Sequence, residues 1–274
     1  MATSDAAVEI DHVALTVRDL EKVSTFYQKA LGMAQLSADG ETAILGAGST
    51  PLLHLRRDRA ARAPSHRSAG LFHTAFLLPE RGDLARWMRH AIEGKLPLQG
   101  ASDHGVSEAL YLADPEGNGI EVYIDRPRDD WPRTTTGVNM KTEALDLDAL
   151  NAAGSGTFAT MPEGSVIGHV HLQVGGLDAS DGFWRDQIGM TLTQNYPGAS
   201  FYGASGYHHH IAGNIWNSRG AGPRAPGESG LAALTLRADP EPLADIAHRS
   251  GSEGMHFTLT DPWGTPIILT QKAR

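Results

Sequence analysis

Three consecutive histidines, His208, His209 and His210 in GYHHHIAGNIW, concentrate imidazole in a chain that holds thirteen histidines in all. Imidazole near neutral pH can bind a metal, accept a proton or donate one. The cluster can therefore serve a metal site, an acid–base step, or a polar strand with no chemistry to do. Other candidates are spread along the chain. Glu121 in GIEVYI is a carboxylate in an otherwise apolar run, a costly burial unless a cation or hydrogen bonds offset it. His73 in LFHTAFLL, taken alone, reads as a core histidine with its hydrogen bonds satisfied. His12 in DHVALTV and His169 in GHVHLQV hold equivalent places in two similar segments. The chain has no cysteine, which removes thiolate ligation, disulfides and a cysteine nucleophile, and fits a reducing cytoplasm.

The elements that must position these groups come from an internal repeat. Residues 11–33 align without a gap on residues 168–190, so that His12 falls on His169, Phe26 on Phe183 and Gly32-Met33 on Gly189-Met190. Each copy opens with strand-like alternation (Val13, Leu15, Val17). Apolar residues at helical spacing follow (Leu20, Val23, Tyr27, Leu31), and a glycine stands where a helix C-cap belongs. Alternating runs broken by glycine come next: ETAILGAG and PLLHL in one copy, ASFYGAS and YHHHIAG in the other, all read as hairpin strands. A second pair of units follows the same plan, with DPEGNGIE at 114–121 matching DPWGTPII at 261–268. Four strand-helix-strands units result, at 8–58, 70–125, 165–219 and 229–273. The expected division is an N-terminal domain (1–130), a linker with a short helix (131–164) and a C-terminal domain (165–274).

Length, a hydrophobic fraction of 41% and a charged fraction of 20% suit a soluble globular chain of two cores. A net charge of -9 argues against a nucleic-acid partner, since phosphate binding needs concentrated positive charge. The basic run RRDRAARAPSHR at 56–67 reads as a solvated loop. No apolar run approaches membrane-spanning length and the first residues lack a secretory pattern, so a cytoplasmic location is expected. The sequence is compatible with a homo-oligomer.

Paired βαβββ units with these opening strands resemble the vicinal-oxygen-chelate superfamily, which includes glyoxalases, antibiotic-resistance proteins and extradiol dioxygenases. The resemblance spans nearly the whole chain. It implies an α+β fold in which four βαβββ modules in two domains pair into curved half-barrel sheets, with metal ligands on the first and last strands of paired modules. Those positions offer His12, His73, His169 and Ala233 on opening strands. On closing strands they offer Leu52 or His54, Glu121, the 208–210 triplet and Ile268. Two histidines and a glutamate form the facial triad that suits non-haem Fe(II) or Mn(II). His73 and Glu121 can be completed by His169 or by His12. The gap-free alignment sets Leu52 opposite His209, so the useful extra histidine favours His169, with His171 as a competitor on the same strand face.

The segment DHGVSEALYLADPEGNGIEVY is similar to the final module of catechol 2,3-dioxygenase type extradiol enzymes, with His104 in an H-G loop and Tyr111 ten residues before Glu121. The resemblance implies ring cleavage of catechol or a substituted catechol with O2, assisted by His209 as acid–base group and by Tyr111 and His104. Alternation would place Tyr207, His209 and Ile211 on one face, leaving His208 and His210 on a polar outer face or hydrogen-bonding behind the site. His12 then reads as a relic or structural hydrogen-bonder, and Trp184 and Trp216 as core residues. Two other functions stay open: a glyoxalase-like isomerase using Zn(II) or Ni(II), and a non-catalytic ligand-sequestering protein.

Overall fold

A computed structural model describes residues 6–273. The first module contributes β1 (Val8–Val17), helix α1 (Leu20–Leu31), β2 (Ala34–Ala38), β3 (Thr42–Ala47) and β4 (Thr50–Arg57). The second supplies β5 (Gly70–Leu77), α2 (Arg81–Glu93), β6 (Gly100–Asp103), β7 (Ser107–Ala113) and β8 (Gly119–Asp125). Between modules two and three lie a two-residue strand, β9 (Glu143–Ala144), and the short helix α3 (Leu147–Asn151). The third module holds β10 (Val166–Gln173), α4 (Leu177–Asp181), β11 (Thr191–Tyr196), β12 (Ala199–Gly203) and β13 (Ile211–Asn214). Module four follows the plan one strand short, with β14 (Gly230–Ala238), α5 (Pro240–Ser250), β15 (His256–Thr260) and β16 (Pro266–Gln271).

Local chemistry explains the repeat. In α1 the Asp19 side chain accepts from the backbone N–H of Lys22 at 3.1 Å, and Gly32 closes the helix with φ of 65°. In the third module the matching helix changes character after Asp181. The N–H of Ile188 there bonds the carbonyl of Phe183, five residues back, so the last turn is wider than in α1. Both Asp-Pro turns are held alike: Asp114 Oδ1 accepts from the N–H groups of Glu116 and Asn118, and Asp261 Oδ1 from those of Trp263 and Thr265.

The strands form two curled sheets, one joining the first and last modules and the other the two middle ones. A seven-stranded sheet in the order β15-β16-β14-β1-β4-β3-β2 unites modules one and four, and a nine-stranded sheet, β11-β12-β13-β10-β5-β8-β7-β6-β9, unites modules two and three. The seam in each is antiparallel, β1 on β14 and β10 on β5. In the second seam His171 lies opposite His73, while His169 lies opposite Ala75, which is itself level with Glu121 of β8. Residues of three strands are thus brought to one height.

Trp87 of α2 ties the halves together. Its ring is fully buried and its indole N–H donates to the carbonyl of Ala30 in α1 at 2.9 Å. Trp87→Ala should lower unfolding free energy by about 3–5 kcal/mol through the lost packing and the cavity. Chemical denaturation monitored by circular dichroism measures that loss.

Candidate metal centre and its pocket

Glu121 is buried at the foot of a cavity of about 320 Å³ on the nine-stranded sheet. Its Oε2 lies 3.1 Å from His73 Nε2 and 3.2 Å from His169 Nε2. The three donor atoms lie within 4.8 Å of one another, and among the described residues no other such group of histidine and carboxylate donors occurs. The set fits a divalent cation on its own chemistry. Burial works to raise the Glu121 carboxyl, but the facing imidazoles of His169 and His73 hold it down at about 2. Burial pushes His73 down to about 3, so near neutrality the site offers an anionic oxygen and a neutral imidazole. Although close to Glu121 Oε2, His73 Nε2 makes no hydrogen bond to it or to another atom, as suits a nitrogen that ligates a cation.

His209 stands beside this group, its ring 4.1 Å from that of His169 and its side chain lining the cavity. Burial, with the neighbouring imidazoles of His169 and His208, keeps its basicity far below the ordinary value. On the opposite wall His104 Nε2 and the Tyr111 hydroxyl are 2.7 Å apart, and His104 Nδ1 bonds the carbonyl of Lys141 at 2.7 Å. Burial raises the Tyr111 phenol well above its ordinary range, with Glu121 adding to the shift, so the hydroxyl keeps its proton. The structure therefore brings His73, Glu121, His169, His209, Tyr111 and His104 around one cavity. His171 lines it as well, with a buried Nε2 that has no partner, but it does not join the converging three.

His12 is elsewhere. It belongs to the seven-stranded sheet, where Nδ1 bonds Asp11 at 2.7 Å, Nε2 lies 3.1 Å from Thr235 Oγ1, and the ring stacks on His54 at 3.8 Å. Ile268 is level with Thr235, the position Glu121 holds relative to Ala75, so that half lacks the carboxylate.

Several expectations about the triplet need correction. It is not strand: β13 begins only at Ile211, and residues 204–210 form an irregular crossing. Strict alternation consequently fails. Tyr207 points into a small apolar cluster with Val106, Trp131 and Val138, away from the cavity that His209 lines. His208 and His210 do not form a solvated face, since both are fully buried. The gap-free alignment also slips by one residue here. Val13 pairs with Leu53 and Val170 with Ile211, so Pro51, not Leu52, stands at the place of His209.

Two wall residues escaped the sequence reading. Trp216 is 46% exposed and is not a core residue; its ring packs against Phe72 at 5.6 Å and His171 at 5.4 Å at the cavity edge. Phe72 stands on β5 next to His73. A signal was available in both cases, an aromatic beside a candidate ligand or strand end, but nothing local distinguishes a cavity wall from a core. Trp184, by contrast, is core as expected. A larger depression of about 840 Å³ lies on the outer side of Trp216, yet it contains none of the converging donors, so the smaller cavity is the chemical one.

His210 predicts an acid-sensitive fold. Its Nδ1 accepts from the Ala204 N–H at 3.2 Å, its Nε2 has no partner, and burial pushes its basicity down to about 3. Below about pH 6.5 the unfolded chain takes up a proton there that the folded chain refuses. Stability is therefore greatest above that pH and falls as pH drops toward 3. Urea midpoints measured from pH 7 to pH 4 should decline, and His210→Leu should flatten the slope by about one proton.

Residues 9–122 match the model of the Glyoxalase/Bleomycin resistance protein/Dioxygenase superfamily. A catechol-2,3-dioxygenase of Bacillus subtilis (strain 168) is 40% identical over 233 residues, covering 83% of this chain and 81% of that protein. A biphenyl-2,3-diol 1,2-dioxygenase of Rhodococcus globerulus is 42% identical over 62 residues, 21% of this chain and 30% of its own. In fold the chain resembles a putative dioxygenase from Bacillus subtilis (TM-score 0.62, 14% identity, 98% of this chain and 86% of that one). It also resembles glyoxalase I from Zea mays (TM-score 0.57, 15% identity, 96% and 92%). The chain belongs to the glyoxalase/bleomycin resistance/dioxygenase superfamily. Within it, this is an oxidoreductase of the extradiol dioxygenase type. Among the described residues no helix is long and apolar enough to cross a membrane.

Proposed function

We propose that the chain is an Fe(II)-dependent dioxygenase that opens the ring of catechol or a substituted catechol beside its two hydroxyl groups. The observation that carries this reading is the convergence of His73, His169 and Glu121 at the foot of a cavity whose walls also hold a neutral imidazole and a protonated phenol. In this reading those three residues hold the metal. A ferrous ion held there would bring dioxygen and the diol together and let electrons pass from the diol to dioxygen.

The rest is work for the chain's own groups. His209 is neutral near pH 7, so its free ring nitrogen can take a hydroxyl proton from the entering diol and return it to oxygen as the ring opens. The Tyr111 hydroxyl is paired with His104, whose Nδ1–H is engaged with the Lys141 carbonyl, and the phenol oxygen is left to accept a hydrogen bond from the diol above Glu121. Phe72, Phe201 and Trp216 line the sides with aromatic surface, which suits a flat ring and excludes water. A glyoxalase-like reaction is less well served, since the triad contains a single carboxylate.

Protein purified without oxygen and reconstituted with Fe(II) should turn catechol yellow while consuming an equal amount of O2. Colourless mixtures across a panel of catechols would remove the dioxygenase reading. Metal analysis of the active preparation, compared with Mn(II) reconstitution, identifies the ion.

A further inference from the structure

Of the two triplet histidines that do not line the cavity, His208 connects to the one that does. His208 is fully buried, with Tyr207 and Trp131 against its ring at centroid distances of 4.0 and 5.0 Å. Its two nitrogens have one polar partner each. Nε2 lies 2.9 Å from Asp125 Oδ1, and Nδ1 lies 2.8 Å from Nδ1 of His209. Asp125 closes the strand that carries Glu121, and the same Oδ1 accepts from the Tyr207 hydroxyl at 3.1 Å, which in turn meets the Tyr123 hydroxyl at 2.8 Å. Tyr123 itself is pinned against Gly168, where a Cβ atom would come within 1.8 Å of the phenol oxygen. The wall behind His209 is thus a connected hydrogen-bonded array, in which Asp125 Oδ2 has no partner.

Hydrogen-bond polarity along that array has one consistent solution. A carboxylate oxygen only accepts, so His208 must donate from Nε2. Burial keeps His208 from holding a second proton, which leaves its Nδ1 as a bare acceptor. The proton between the two rings then belongs to His209 Nδ1, and its Nε2 is left without one.

We propose that Asp125 and His208 are positioning residues that lock His209 in the tautomer with Nδ1 protonated, so that a bare Nε2 is the atom available to the cavity. The inference rests on reading His209 as the acid–base group and extends it to residues that never touch the diol. When His209 Nε2 takes a proton, its Nδ1–H stays in place as the hydrogen bond to His208 Nδ1, and the same Nε2 proton is later returned. No co-reactant is needed and the proton count balances. Reversing the array would present an N–H to the cavity in place of a lone pair, the arrangement a base cannot use.

Two substitutions at His208 separate positioning from packing. His208→Asn sets an amide oxygen where Nδ1 stands, so it can still accept from His209. His208→Gln is closer in length and keeps a donor toward Asp125, but it has nothing to offer His209 at that place. In the iron-reconstituted chain the Gln variant should lose on the order of 10²-fold in kcat with KM and iron content held, and the Asn variant should recover about a tenth or more of the wild-type rate. A role in packing alone predicts the opposite order, and Gln equal to or better than Asn overturns the proposal. The second measurement needs no variant. In the zinc-loaded full-length chain, 15N-labelled at histidine, nitrogen shifts should show His209 protonated at Nδ1 and bare at Nε2, and the reverse tautomer overturns the proposal even if the variants fail to fold. His209→Ala is the control for the underlying reading: wild-type turnover there removes His209 from catalysis, and the nitrogen shifts still decide the polarity.

Discussion

His169→Ala should leave the purified chain without bound iron after reconstitution, while His12→Ala keeps a full complement. The two residues occupy equivalent places in the repeat, so sequence position alone offers no reason for the difference. Geometry does: His169 Nε2 lies 3.2 Å from Glu121, whereas His12 is engaged with Asp11 and Thr235 in the other sheet. Losing one of three donors removes more than a partner behind the ligands would, and such outer partners already cost about 10- to 100-fold in metal affinity. A fall in affinity beyond about 10²-fold is expected, with ring cleavage lost in parallel. Iron per chain, measured by atomic absorption after gel filtration, checks it. His171→Ala belongs in the same experiment and should retain iron, because its nitrogen is not among the converging three. Retention of iron by His169→Ala with loss in His12→Ala would move the site to the other half of the molecule.

The second large effect falls on rate and spares the metal. His209→Ala should bind iron as the parent does and lose about 10²- to 10⁴-fold in kcat, the span typical of a removed general acid–base group. His209 lines the cavity beside His169 yet lies outside the converging donor set, which is why the two substitutions should separate binding from turnover. Steady-state oxygen uptake with catechol, paired with iron analysis on the same sample, distinguishes them. An iron-poor His209→Ala preparation would mean that this imidazole contributes to holding the metal.

Much of this site could be read along the chain because its parts sit in repeated local patterns. The period-two runs of β1, β5 and β10 place His12, His73 and His169 early on opening strands, and the Asp-Pro turn before Glu121 marks the closing strand. His104 and Tyr111 were legible through the resemblance of the segment around Glu121 to the final module of extradiol enzymes. The triplet was misjudged in its backbone because three histidines among apolar residues mimic a strand. In the fold their neighbours are set by Asp125, Tyr207 and Trp131, and two of those lie some eighty residues away in the chain. Trp216 and Phe72 stand beside a strand end and a candidate ligand, but an aromatic residue packs equally well in a core or at the rim of a cavity.

What the amino-acid order determined by itself is the local plan: where strands alternate, where α1 is capped by Asp19 and Gly32, and where a carboxylate enters an apolar strand at a price that demands a partner. Only the tertiary structure decided which modules share a sheet. The antiparallel seam of β10 on β5, with its register setting His169 level with Ala75 and Glu121, made one triad out of residues 48 apart or more, and left His12 facing Thr235 and His54. The physical reason is that backbone preference and side-chain period act over a few residues, whereas seam pairing is settled by burial of whole sheet faces against each other. Equivalent histidines therefore receive different partners.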